Sequence, residues 1–153
     1  MAKKKKTKVE NLFYLVALVL CVVAVCMLFV DALKVDVLLG TATYTGAQIT
    51  FGYATDYVTY FSFSILNLIP YILVAVSAVI FVLKMAKMAK AKYWDLVTVA
   101  MLVIAAVLFF LAPSLVVSDM YDGFTKSLAI GSILSAVLSI CACVAITIKS
   151  FKK

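Results

Sequence analysis

Four apolar runs, each about 20 residues long, dominate the chain and leave room for few other architectures. They cover 11–30, 60–83, 96–112 and 128–148, and charged or turn-forming residues bound each one. At 1.5 Å of rise per residue, a helix of about 20 residues is about 30 Å long, the thickness of a bilayer's hydrocarbon core. Four such spans leave about 73 of the 153 residues for tails and loops, too few for a second, soluble domain. Composition agrees: 67% of the residues are hydrophobic and 14% charged, against about 45–50% and about 25% in a soluble domain. The expected fold is an all-α integral membrane protein, a single four-helix bundle over residues 1–153.

Charge sets the expected orientation. All 14 basic residues are lysine, and there is no histidine. Lys3, Lys4, Lys5, Lys6 and Lys8 precede the first span, Lys84, Lys87, Lys90 and Lys92 separate the second from the third, and Lys149, Lys152 and Lys153 follow the fourth. These segments share one side of a four-span chain, whereas the other side holds Lys34 and Lys126 with Asp31, Asp36, Asp56, Asp119 and Asp122. The positive-inside rule then predicts a plasma-membrane protein with both termini cytoplasmic. The first run is too long for a signal-peptide core and no small-residue cleavage site follows it, so it is expected to be retained. Lysine-only, histidine-free usage points to an AT-rich bacterial genome.

The fourth run has the clearest periodicity. Ser127, Gly131, Ser135, Ser139, Cys143 and Thr147 recur every four residues, which predicts a small-residue groove along one helix face where a neighbouring backbone approaches closely. Ala17, Cys21 and Ala24 make a weaker version in the first run, so the first and fourth spans are expected to pair. Cys21, Cys26, Cys141 and Cys143 all fall inside spans and read as packing residues, since reactive thiols need an electropositive, partly exposed setting.

The second run is the most polar. Ser64, Asn67 and Tyr71 share a helical face, with Tyr60 a turn above, and Pro70 removes the donor that would bond the Leu66 carbonyl. This face is a candidate polar cavity. Beyond it, the lysine run containing Lys84, Lys87, Lys90 and Lys92 predicts a helical extension of the second span that meets anionic lipid on the cytoplasmic face. Tyr93 and Trp94 are expected as interfacial anchors, and Asp95 as the cap opening the third span.

The first outer loop, 31–59, alternates at its centre: Thr41, Thr43 and Thr45 against Ala42 and Tyr44, then again over 48–53. This predicts a small extracytoplasmic β-hairpin over about 41–53, with Ile49 and Phe51 tucked in and Tyr44, Phe51 and Tyr53 as its contact residues. Cytoplasmic termini with a longer, β-containing first outer loop and a shorter second one resemble the topology of claudin-type tetraspan proteins. That family's Trp-x-x-Leu-Trp motif and cysteine pair are absent from 31–59, so the resemblance is architectural and transfers no residues.

Chemistry is mostly excluded. Without histidine, arginine, a phosphate-binding glycine loop or a serine beside a base, no catalytic group is expected, and no metal or cofactor site. With 96–112 as the third span, no ionisable residue lies inside the apolar runs, which disfavours ion-coupled transport. The expectation is a non-catalytic tetraspan scaffold or accessory subunit, working through helix–helix and outer-loop contacts with a membrane-protein partner or a second copy. The alternative is a homo-oligomeric pore lined by the Ser64, Asn67 and Tyr71 face. Nucleic acid is not an expected partner.

Overall fold

The computed structural model describes residues 2–89 and 91–151, with side chains from Lys8 onward. In chain order the elements are α1 (Ala2–Cys26), a 3-10 turn (Met27–Phe29), β1 (Asp31–Val37), β2 (Gly40–Thr45), α2 (Gly46–Phe51), β3 (Tyr53–Ala54), β4 (Thr59–Phe61), α3 (Ile65–Met85), α4 (Tyr93–Phe110), α5 (Ala112–Leu115), β5 (Lys126–Leu128) and α6 (Ile130–Phe151). Four helical stretches are long and apolar enough to cross a membrane: Lys8–Phe29, Ile65–Met85, Tyr93–Phe110 and Ile130–Phe151.

These four form a closed ring in which α1 and α4 each pack against both α3 and α6. Their interior is built from small and aromatic side chains, among them Ala17, Cys21, Ala24, Ala105, Ala136 and Ala142 with Phe81 and Phe109. The large aliphatics face outward instead, including Leu12, Leu15, Val19, Ile72, Val79, Ile104, Ile133 and Val144. In water this distribution would be inverted. In lipid, apolar tails solvate the aliphatics and close packing of small residues holds the helices together. The four helices and this distribution mark the chain as a membrane protein.

A small cap closes one end of the bundle, with a core of its own around Leu33, Val35, Tyr44, Ile49, Phe61 and Tyr121. β1 is the central strand of a three-stranded sheet in the order β2-β1-β5. Leu33, Val35 and Val37 point inward while Lys34 and Asp36 are exposed, the alternation of a half-buried strand. A register shift between Asp31 and Leu33 puts Ala32 on the buried side as well.

The hairpin is therefore not the one expected over 41–53. Its strands are β1 and β2, joined through Leu38 and Leu39, and the apparent second strand is the helix α2. Thr45 starts that helix with a capping box, its side chain accepting from the Gln48 backbone N–H while the Gln48 side chain accepts from the Thr45 N–H. Gly52, at φ +93°, ends it. Tyr60 is likewise not a turn of the second span: 59–61 pairs with 53–54 as a two-stranded sheet, and the helix begins at Ile65.

The lysine run does not prolong α3. The helix closes after Met85, where Lys87 takes φ +60° and the Met88 N–H bonds the Leu83 carbonyl at 3.0 Å, the reversal that commonly ends helices with glycine in the left-handed position.

Candidate functional site

The two ends of the bundle carry different chemistry. At the capped end, Tyr44 anchors an aromatic cluster. Its ring lies 4.7 Å from Phe61 edge-on, 5.8 Å from Tyr121 and 6.1 Å from Tyr53, separations at which aromatic pairs contribute beyond their buried area. Its hydroxyl hydrogen-bonds that of Tyr121. Burial first, and then this bond, raise the Tyr44 hydroxyl above its ordinary pKa. Ser118 ties the second loop to β4, donating to the Tyr60 carbonyl at 2.5 Å and accepting from the Tyr121 N–H.

Of the residues expected to form a contact surface here, Tyr44 is 8% exposed and belongs to the core. Tyr53 is half-buried, and Phe51, expected to tuck in beside Ile49, is exposed on the last turn of α2. The side chains that stand out are ones the alternation did not suggest: Leu38 at 96% exposure and Leu39 at 101%, at the hairpin tip. Neither leucine has a positive φ, and Gly40 at +148° completes the reversal. Turns normally carry Gly, Asn, Asp or Pro, so two solvated leucines on a braced hairpin are a cost without a local structural return.

Thr50 is fully buried in the cap, and its hydroxyl has no hydrogen-bond partner among the described residues. Thr50→Val keeps the shape and removes the unsatisfied group, so it is expected to stabilise the protein by about 1–2 kcal/mol, read as a raised unfolding midpoint in detergent.

The candidate polar face of α3 is turned into the protein. Ser64, Asn67 and Tyr71 are all buried. The Ser64 hydroxyl donates to the Leu115 carbonyl at 3.0 Å and accepts from Asn67 Nδ2 at 3.4 Å, which fastens the start of α3 to α5. The Tyr71 ring meets Phe109 edge-on at 4.8 Å.

The small-residue stripe divides in two. Ser127 lies in β5, ahead of the helix. Gly131, Ser135 and Ser139 are buried, and the Ser135 hydroxyl donates to the Ala24 carbonyl at 3.3 Å across the α1–α6 contact. A step of four residues overshoots the 3.6-residue turn by about 40° each time, so the buried ridge passes to Ala142, Ile146 and Lys149. Cys143 and Thr147 are thereby rotated to the flank facing α4.

The opposite end holds a group no local pattern announced. Tyr14 from α1, Lys84 from α3, Asp95 from α4 and Lys149 from α6 converge, one from each helix. Asp95 Oδ2 accepts from Lys149 Nζ at 2.7 Å; Oδ1 accepts from the Tyr14 hydroxyl at 2.9 Å and pairs with Lys84 Nζ at 3.2 Å. Lys149 also donates to the Tyr14 hydroxyl and stands 4.2 Å from the centre of that ring. The Lys84 ammonium donates to the Ala91 carbonyl at 2.7 Å, clasping the loop between α3 and α4. Two lysines and one aspartate leave the cluster with a surplus positive charge.

Three expectations change. The Lys84 side chain, expected among lipid headgroups, is only 7% exposed and is committed to Asp95. Asp95 does not cap the third span: α4 begins at Tyr93, so Asp95 lies inside the helix and its carboxylate is spent on the lysines. The third long helix, longer at its start than the run 96–112, therefore carries an ionisable residue in its first turn. Lys87 and Lys92 are exposed, while Lys90 lies outside the described residues.

Among the described residues no group of three or more His, Cys, Asp or Glu is placed to hold a metal ion. No protein-family model matches the chain, and neither does any curated protein or solved structure.

Proposed function

We propose that this chain is a multi-pass plasma-membrane protein with both termini cytoplasmic, acting as a non-catalytic scaffold or accessory subunit through its extracytoplasmic cap. The observation that carries this reading is the solvated Leu38–Leu39 pair, presented by a strand that is hydrogen-bonded on both edges. Burying a leucine is worth about 1.5–3 kcal/mol, so the pair offers a partner enough apolar surface for an anchor. The lysine asymmetry supports the orientation, because the charged end of the bundle collects α1's start, α3's end, α4's start and α6's end. The pore alternative has less support, since Ser64, Asn67 and Tyr71 are packed and bonded inside a single bundle.

Leu38→Asn with Leu39→Gly tests this cleanly. An Asn-Gly pair is a favoured two-residue turn, so the hairpin is expected to hold while the apolar tip is lost. Native mass spectrometry of the wild type, gently extracted from its own membrane, is expected to show a defined complex with another membrane protein that the double variant no longer forms at an unchanged melting temperature. A wild type found only as a lipid-bearing monomer, or a complex that survives the substitution, refutes the reading. A ring-sized homo-oligomer favours the pore.

A further inference from the structure

The lower half of the small-residue stripe, turned out of the core, has a place in a different feature. Two cavities follow the α4–α6 seam. One, of about 420 Å³, lies at the charged end between Leu96 and Val99 on α4 and Thr147 on α6. The other, of about 160 Å³, continues along the same seam between Val103 and Ala106 on one side and Cys143 on the other. The spacing Leu96, Val99, Val103, Ala106 follows one face of α4, and Thr147 and Cys143 follow one face of α6, so the two cavities lie in line as successive stretches of one seam, a furrow to which α6 contributes the short side chains of Thr147 and Cys143. Its walls are almost wholly apolar. Its mouth is not: Lys92 and Asp95 both line it, and Asp95 is paired with Lys149 and Lys84.

We propose that this furrow binds one anionic phospholipid of the surrounding bilayer, an acyl chain lying along the α4–α6 seam and the headgroup phosphate held at Lys92. The proposal rests on the membrane reading above and gives it a specific site. Charge complementarity selects the occupant. Three lysines against one aspartate give the mouth a net positive field at the level where headgroups lie, and the furrow is apolar along the depth where acyl chains lie. A zwitterionic lipid would fill the furrow equally well but gain less at its mouth. Thr147 and Cys143 are small because a larger side chain there would occupy the lipid's space, which accounts for the half of the stripe that the α1–α6 contact does not use.

The chain supplies its own reporter. Trp94 is its single tryptophan, and its ring is 5.2 Å from that of Tyr93, which lines the mouth. Full-length protein in vesicles is titrated with phospholipids brominated on the acyl chain, which quench tryptophan on contact, using phosphatidylglycerol in one series and phosphatidylcholine in the other. Half-maximal quenching is expected at about fivefold lower mole fraction for the anionic lipid, the contribution of one lysine near the membrane surface. Lys92→Gln, at an exposed position, is expected to bring that ratio close to one with circular dichroism and melting unchanged. Thr147→Leu, which fills the floor, is expected to reduce quenching by both lipids.

Equal quenching by the two lipids in the wild type overturns the proposal. So does a ratio that responds to Lys92→Gln while Thr147→Leu changes nothing, since binding would then belong to a diffuse basic surface. If Thr147→Leu instead converts a dimer to a monomer by native mass spectrometry, a second copy occupies the furrow and the lipid proposal fails. Absence of quenching by every brominated lipid overturns the membrane reading itself, a result distinct from the others.

Discussion

Asp95→Ala is expected to lower the unfolding free energy by about 3–5 kcal/mol, the cost of removing one partner from a buried ion pair. The carboxylate is the only acid in a group of two lysines and a tyrosine, and the lysine side chains beside it are each 7% exposed. Without it, Lys84 and Lys149 face one another across a space that water scarcely enters, and the hydroxyl of Tyr14 loses its acceptor. All four helices lose a shared fastening, so a cooperative fall in the melting midpoint is expected. Asp95→Asn should be milder, because the amide oxygen still accepts one bond. Lys149→Met should cost less than Asp95→Ala, because it removes the surplus charge and leaves the Lys84–Asp95 pair, although Asp95 Oδ2 loses the Lys149 donor. Thermal unfolding of the three variants and the wild type in one detergent measures the order; an Asp95→Ala midpoint equal to that of the wild type would show that the cluster contributes nothing to stability.

That cluster also marks where reading the sequence stops. The four spans are legible because hydropathy over about 20 residues reports directly what a bilayer requires. The approach of α1 to α6 is legible through Ala17, Cys21 and Ala24 opposite Gly131, Ser135 and Ser139, since small residues at helical spacing have few uses other than close packing. Asp95 lies 81 residues from Tyr14 and 54 from Lys149, which are themselves 135 apart, and no local period joins them. A weak signal was present in Asp95 itself, an acid at the start of an apolar run, because an ionisable residue in a span needs a partner. In the cap, competing local signals misled: 48–53 alternates like a strand, yet Thr45 and Gln48 form the capping box that starts a helix there. Conversely, the true hairpin was concealed by its turn, since Leu38 and Leu39 lack the residues that announce one.

Gly131→Ala is the second substitution with a large expected effect, about 2–3 kcal/mol, at the upper end of the range for overpacking a tight site. A Cβ at this position would lie 2.8 Å from the Asp31 carbonyl oxygen and 3.0 Å from that of Val30. Both are backbone atoms at the joint where α1 gives way to β1, so no flexible side chain can swing aside. Nor can the joint itself give way easily. The Ala32 carbonyl accepts from the Ala129 N–H at 3.1 Å and from the Ser132 hydroxyl at 3.0 Å, Gly46 N–H holds the Val30 carbonyl at 3.2 Å, and β1 is paired on both edges. Adding one methyl therefore forces α6 away from β1 and strains the hydrogen bonds on both sides of it. Hydrogen exchange separates this from general destabilisation: the amides of Leu33 and Val35, opposite Leu128 and Lys126 of β5, are expected to lose protection while those in the middle of α3 and α4 keep theirs. Uniform loss across the bundle would mean that Gly131 is a packing position of the helices alone and that the cap is not hinged on it. Gly123→Ala is the control, with no atom within 4 Å of the added Cβ but a φ of +85°, so it carries only a left-handed backbone penalty of about 1–2 kcal/mol, confined to the second loop and without effect on the β1–β5 amides.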